Sequence, residues 1–205
     1  MLATCSSRRN LTDRVFITQE CQLDFLMWKD FLSSLNGISM FINETINSPE
    51  LMLFTDAAAT IGYGGYFQTE WFASTWPQEV VSIANSHDST MSIAWMELYP
   101  IVTAAVIWGQ EWTNKSINFQ CDNMATVAII NKGRSKSQFI MKLIRKLTLI
   151  AATYNFVFAA THVPGRLNCI SDALSCLQLT RFRSLAPQAE RDPVRCPGMA
   201  DLLYP

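Results

Sequence analysis

Four carboxylates, Asp56, Glu97, Asp122 and Asp172, stand where chemistry is usually built rather than where side chains are merely solvated. Asp56 interrupts the apolar run that opens "LMLFTDAAATIGYGGYF", residues 51–67, and an unpaired carboxylate buried in a strand would cost several kcal/mol. Glu97 falls near the start of a helical segment, Asp122 at the end of a strand and Asp172 at the start of the last helix. Strand ends and helix starts are where an open α/β sheet places its site. Each acid alone has a plain structural reading: Asp172 as a cap after Ser171, Glu97 as a first-turn dipole partner, Asp122 in an Asx turn with Asn123. Four of them converging would repel one another unless divalent cations neutralised them. Oxygen-only ligation selects magnesium or manganese, so the expected partner of Asp56 is a metal.

The elements that must position these acids follow from periodicity. Cys21 to Leu35 spaces Leu23, Leu26, Met27, Phe31 and Leu35 at helical intervals, and Asn36-Gly37 ends it. Three short strands follow the turn "NSPE", at Leu51 to Ala57, Tyr63 to Gln68 and Trp71 to Trp76, an antiparallel meander. Residues 82–92 read as a loop that includes His87, a surface residue without chemical context. Ile93 to Trp108 reads as a helix that either starts near Trp95 or kinks at Pro100. Ser116 to Cys121 is a fourth strand, Asn123 to Asn131 and Ser137 to Thr153 are helices, Phe156 to Thr161 is a fifth strand, and Ile170 to Gln178 is a last helix. The expected fold is α/β, a mixed five-stranded sheet flanked by helices on both faces. It spans 49–178, after a connecting segment with one amphipathic helix at 1–48 and before a Pro-rich, mostly irregular tail at 179–205.

Composition excludes some classes and favours another. The start of the chain is polar, and the longest uncharged run, Leu147 to Thr161, is too short to span a bilayer, so no membrane role is expected. Six cysteines without a C-x-x-C pair argue against a zinc or disulfide framework and for a reducing compartment, cytoplasmic or nuclear. The net charge of -1 hides an asymmetry: from Asn123 to Ser171 there is no acid, while Lys132, Arg134, Lys136, Lys142, Arg145, Lys146 and Arg166 are all cationic. Such a basic half is either a solvated face or the footprint of a polyanion.

The segments "TDAAATIGYGG", "MELYPIV", "CDNMATVAIIN" and "THVPGRLNCISDALS" resemble the ribonuclease H domain of retroelement polyproteins, in particular that of DIRS-type, tyrosine-recombinase-bearing retrotransposons. The resemblance covers about Pro49 to Leu177. "SMFI" and the helix before it resemble the segment that joins reverse transcriptase to that domain. Cys176 departs from the pattern, since these elements usually carry arginine after the serine.

The resemblance implies hydrolysis of the RNA strand of an RNA:DNA hybrid with two magnesium ions, manganese being able to substitute. By analogy Asp56 bridges both ions, Asp172 completes the site of the ion that activates water, and Glu97 with Asp122 holds the other. His162 matches a mobile-loop histidine that assists proton transfer or product release, and Asn168 a loop asparagine. Gly64, Gly65, Glu97 and Asn123 are expected near the hybrid's minor groove, Asn168 among the substrate-binding residues, and Lys132, Arg134 and Lys136 on phosphates. The reverse transcriptase of the parent element is a second expected partner. A proofreading-type exonuclease would need an acid at Ala58, an integrase-type transposase a glutamate between Asp122 and Asp172, and a tyrosine recombinase an H-x-x-R; none is present. The alternative of another class is a non-catalytic nucleic-acid-binding remnant.

Overall fold

The computed structural model describes residues 16–34, 45–47, 50–84 and 92–203. Their elements run α1 (Gln19–Ser34), β1 (Thr45–Asn47), β2 (Leu53–Ala58), β3 (Gly62–Phe67), β4 (Glu70–Thr75), α2 (Gln78–Ala84), α3 (Ile93–Trp108), β5 (Ser116–Cys121), α4 (Met124–Lys132), α5 (Gln138–Tyr154), β6 (Val157–His162), α6 (Cys169–Ser175), α7 (Leu179–Leu185) and α8 (Met199–Leu202). The fold is α/β. His87, "SMFI" and the Asn36-Gly37 stop lie outside the described residues.

The expected meander is present: β2, β3 and β4 pair antiparallel, with Asp56 opposite Gly64 and Gly64 opposite Ala73. The expected parallel pairing is present too, between β5 and β6. The single five-stranded sheet is not. Two three-stranded sheets form instead, in the orders β2-β3-β4 and β1-β5-β6. The reason lies at 45–47, which was expected to be connecting chain. These residues pair in parallel with Ser116 to Asn118 and so take the outer backbone groups at the start of β5, while β2 approaches β5 without a hydrogen-bonded ladder.

Alternation along β3 explains why helices cover both faces of the meander. Tyr63 and Phe67 point to one side, where they join Phe72, Trp76 and α3; Tyr66 points to the other, where it meets Trp71, Leu174 and Phe182. The α3 helix is buried all round except at Ile93, Val106 and Ile107, the pattern of a helix enclosed by its own domain. It begins at Ile93, capped by Ser92, and continues through Pro100. The later start near Trp95 is not found, because burial on every side outweighs the one backbone bond missing at Pro100.

Two flanking segments are tied into the domain. Arg145 on α5 is buried and ion-paired with Glu20 and, at 2.9 Å, with Asp24 of α1, while Met27 of α1 is buried. Arg145 therefore belongs to packing and not to the expected basic face. The tail carries α7 and α8, buries Phe182, Ala186 and Leu202, and crosses β4 with Glu190 N–H donating to the Thr69 carbonyl and Val194 N–H to that of Trp71. It is less irregular than its prolines suggested. The segment expected as a loop at 82–92 begins inside α2.

Candidate metal centre

Asp56 sits in β2 with 8 % of its surface exposed, on the side of the sheet that α6 covers. Two side chains from that direction fix its carboxylate. Ser175 at the end of α6 donates to Oδ2 at 2.6 Å, and Asn168, just before α6, donates to the Thr55 carbonyl at 3.0 Å and toward Asp56 Oδ1 at 3.4 Å. For α6 to lie this close, the strand beside Asp56 must lack side chains. A Cβ on Gly64 would meet Leu174 Cβ at 2.5 Å, and one on Gly65 the Phe72 ring at 2.6 Å. The expectation that these glycines approach a ligand is corrected accordingly: both are buried, and their bareness admits α6 on one face and Phe72 on the other. Asn168 is corrected in the same sense. It is buried and holds the β2 backbone and Asp56.

Burial and neighbouring acids act on both Asp56 and Glu97. Burial pushes Asp56 up to about 6, although the Ser175 hydroxyl opposes this, and the charges of Asp122 and Asp172 add to it. Glu97, near the start of α3 and also nearly buried, is pushed up to about 9 by burial and then by Asp56 and Asp122. Asp56 and Glu97 thus each carry the charge of other acids of the predicted quartet. Such mutual destabilisation is what a bound cation relieves.

Asp122 and Asp172 lie toward solvent. Asp122 follows β5 and is exposed, and its Oδ2 would stand 2.9 Å from a Cβ on Gly165, so the bare residue of "VPG" lets that loop pass close to the carboxylate. His162 ends β6, exposed, with Nε2 3.1 Å from the Asp122 carbonyl oxygen, to which it donates in the Nε2–H form. Asp172 in α6 is half-exposed and paired with Arg181 Nη1 of α7 at 2.6 Å. Asn123 caps α4, its Oδ1 accepting from the Ala125 and Thr126 N–H groups. What Asn123 can offer a ligand is its amide N–H pair. Lys132, Arg134 and Lys136 are exposed around the turn between α4 and α5, where Gly133 takes the left-handed conformation at the helix end.

Three residues of this centre escaped the sequence reading. Ser175 lies three after Asp172, one helical turn on, and could have been found as a donor on the same helix. Arg181 follows a helix break and carried no signal. Cys121, beside Asp122, brings its sulfur within 4.8 Å of oxygens of Glu97 and Asp122, a cluster of potential metal ligands among the described residues. No family model, curated protein or solved structure matches the chain.

Proposed function

We propose that the chain is a ribonuclease H-like endonuclease that cuts the RNA strand of RNA:DNA hybrids, derived from the reverse transcriptase polyprotein of a DIRS-type retroelement. The observation that carries this reading is the nearly buried Asp56 carboxylate, held by Ser175 and Asn168 and acted on by Asp122 and Asp172, in a four-carboxylate group in which burial and neighbouring acids raise Asp56 and Glu97 well above the ordinary range. An all-oxygen set of this charge fits hard divalent cations. The order of elements, a meander, a buried helix, a parallel strand pair and a final short helix bearing Asp172, is compatible with a ribonuclease H-like fold and supports the same reading.

Asp56 would hold both ions, with Asp172 on one and Glu97 and Asp122 on the other. Two magnesium ions would supply charge stabilisation for the attacking and leaving oxygens of an in-line displacement. The chain's own residues orient and neutralise. Ser175 and Asn168 hold the Asp56 carboxylate in one rotamer, and Gly165 lets its loop lie against Asp122. His162, with Nε2 on the Asp122 carbonyl, keeps Nδ1 available to take or give a proton at the site's solvent side. Lys132, Arg134 and Lys136 offer charge to the phosphates of the hybrid, and the reverse transcriptase of the parent element would be the neighbouring enzyme. Such work belongs to the cytoplasm or nucleus.

One observation favours the second reading, a nucleic-acid-binding module that no longer cuts: the guanidinium of Arg181 already lies on Asp172. Incubation of the purified chain with end-labelled RNA:DNA hybrid, duplex DNA and duplex RNA, with magnesium or with chelator, separates the two. Magnesium-dependent cleavage of the hybrid RNA alone, lost in Asp56→Asn, is the expected result. Binding without cleavage in either magnesium or manganese would establish the module instead.

A further inference from the structure

The sulfur of Cys121 has no place in an oxygen-only magnesium site, yet it lies among that site's ligands. The Glu97, Cys121 and Asp122 donor atoms are all within 4.8 Å of one another, drawn from α3 and from the end of β5. One further observation points to a ligand. Glu97 is 9 % exposed and accepts no hydrogen bond from any described residue, although its carboxylate is turned toward the other two donors. Cys121 Sγ meanwhile contacts its own turn, accepting from the Asn123 N–H at 3.4 Å and donating to the Asn123 carbonyl at 3.8 Å, and burial with the charges of Glu97 and Asp122 keeps it a thiol until a metal displaces the proton. Asp122 is exposed, which gives an ion a path from solvent.

We propose that Glu97, Cys121 and Asp122 form a binding site for a thiophilic divalent cation, zinc above all, which takes two of the carboxylates needed by the magnesium pair and so excludes it. Sulfur and carboxylate together suit zinc, and zinc stands above manganese in the general affinity order for such donors. Three protein ligands leave the fourth position of a tetrahedral zinc to water. Binding exchanges the thiol proton for the metal and releases it to solvent. The exclusion of magnesium rests on the reading of the carboxylates given above; the thiophilic site itself does not.

Cobalt(II) reports the sulfur directly, because thiolate ligation gives near-ultraviolet charge-transfer absorption that oxygen ligands do not. Titration of the full metal-free chain with cobalt should give that absorption at one equivalent, abolished by one equivalent of zinc. Cys121→Ser should lose the absorption and bind zinc at least ~10-fold more weakly, the least that loss of even a supporting partner of a metal ligand costs. Cys196→Ser should keep both. Absorption that persists in Cys121→Ser, or fails to appear in folded wild-type chain, overturns the proposal. Hybrid cleavage in magnesium is read separately: zinc should stop it in wild type at concentrations that Cys121→Ser tolerates, and equal zinc sensitivity of the two would overturn the exclusion. A cobalt signal without cleavage by either protein would leave this site standing and remove the nuclease reading.

Discussion

Arg181 Nη1 lies 2.6 Å from Asp172 Oδ2, so a guanidinium from α7 stands where a cation would approach the last carboxylate of the quartet. Both side chains are about half exposed, at 44 % and 45 %, and pairs of that kind contribute under ~1 kcal/mol. Arg181→Ala should therefore barely change the unfolding midpoint of the metal-free chain. It should lower the manganese concentration at half-saturation by ~2- to ~5-fold, the factor such an energy supplies when a competitor is removed. Manganese titration followed by thermal unfolding measures both quantities. A higher manganese requirement in the variant would instead make Arg181 an organiser of Asp172.

The buried acids give stability a definite dependence on pH. Asp56 and Glu97 titrate at about 6 and about 9 in the fold, above ordinary carboxylates in an unfolded chain. A raised folded pKa means that the folded state holds the proton more tightly. The contribution is thus complete below about pH 4 and is lost as pH climbs through about 6 for Asp56 and about 9 for Glu97. The unfolding free energy in chelator, from denaturant titration, should fall between about pH 5 and about pH 9 by at least ~1.4 kcal/mol, which corresponds to a tenfold difference in proton affinity between the folded and unfolded chain. Magnesium should offset most of the loss at high pH and little of it at low pH. A metal-free stability that rises over this range would contradict the burial of these carboxylates.

His162→Ala should slow hybrid cleavage by ~10²-fold, the lower end of general acid and base assistance, and leave magnesium affinity nearly unchanged, because Nε2 touches a carbonyl and no carboxylate. Single-turnover rates across a magnesium series test this. Loss as complete as in Asp56→Asn would make the imidazole indispensable rather than assisting.

Replacing Lys132, Arg134 and Lys136 together by alanine should flatten the salt dependence of hybrid binding by roughly 3 units of log–log slope, about 0.9 per phosphate contact. KM should rise more than kcat falls, since these contacts precede the chemical step. Binding measured at several salt concentrations decides the point, and an unchanged slope would show a solvated face.

How much of this could be read from the letters depended on whether a residue's role was local. Apolar periodicity located the meander, α3, α5 and the β5–β6 pair to within two residues or so, because each buries a continuous stripe. Asp56 stood out because charge inside an apolar run is costly wherever the chain goes, and Glu97, Asp122 and Asp172 because they fall at a strand end or a helix start. What failed was non-local. A second parallel partner of β5, beside β6, came from three residues ahead of the expected boundary. Gly64 and Gly65 suggested a ligand, whereas what approaches them is Leu174, some 110 residues later in the chain, and Phe72 of the next strand. Arg145 counted as free charge until α1 folded over it. Cys121 carried an ordinary letter whose meaning came from Glu97 on another element, and Asn168, marked by resemblance, has its partners Thr55 and Asp56 more than 110 residues back in the chain.

The crossing of the tail over β4 has a consequence for solution behaviour. Because β4 is the outer strand of its sheet, its free backbone groups would be a template for another chain, and the segment from Glu190 to Val194 occupies the Thr69 and Trp71 carbonyls while Trp71 Nε1 donates back to the Glu190 carbonyl at 2.8 Å. Phe182 and Ala186 cover the aromatic surface of Tyr66 and Trp71 beneath it. A chain cut after Gln178 would retain all four carboxylates yet open a sticky edge and a bare aromatic patch together, so copies would add to one another strand by strand. The tail makes the sheet finite by occupying the edge that would otherwise accept another strand.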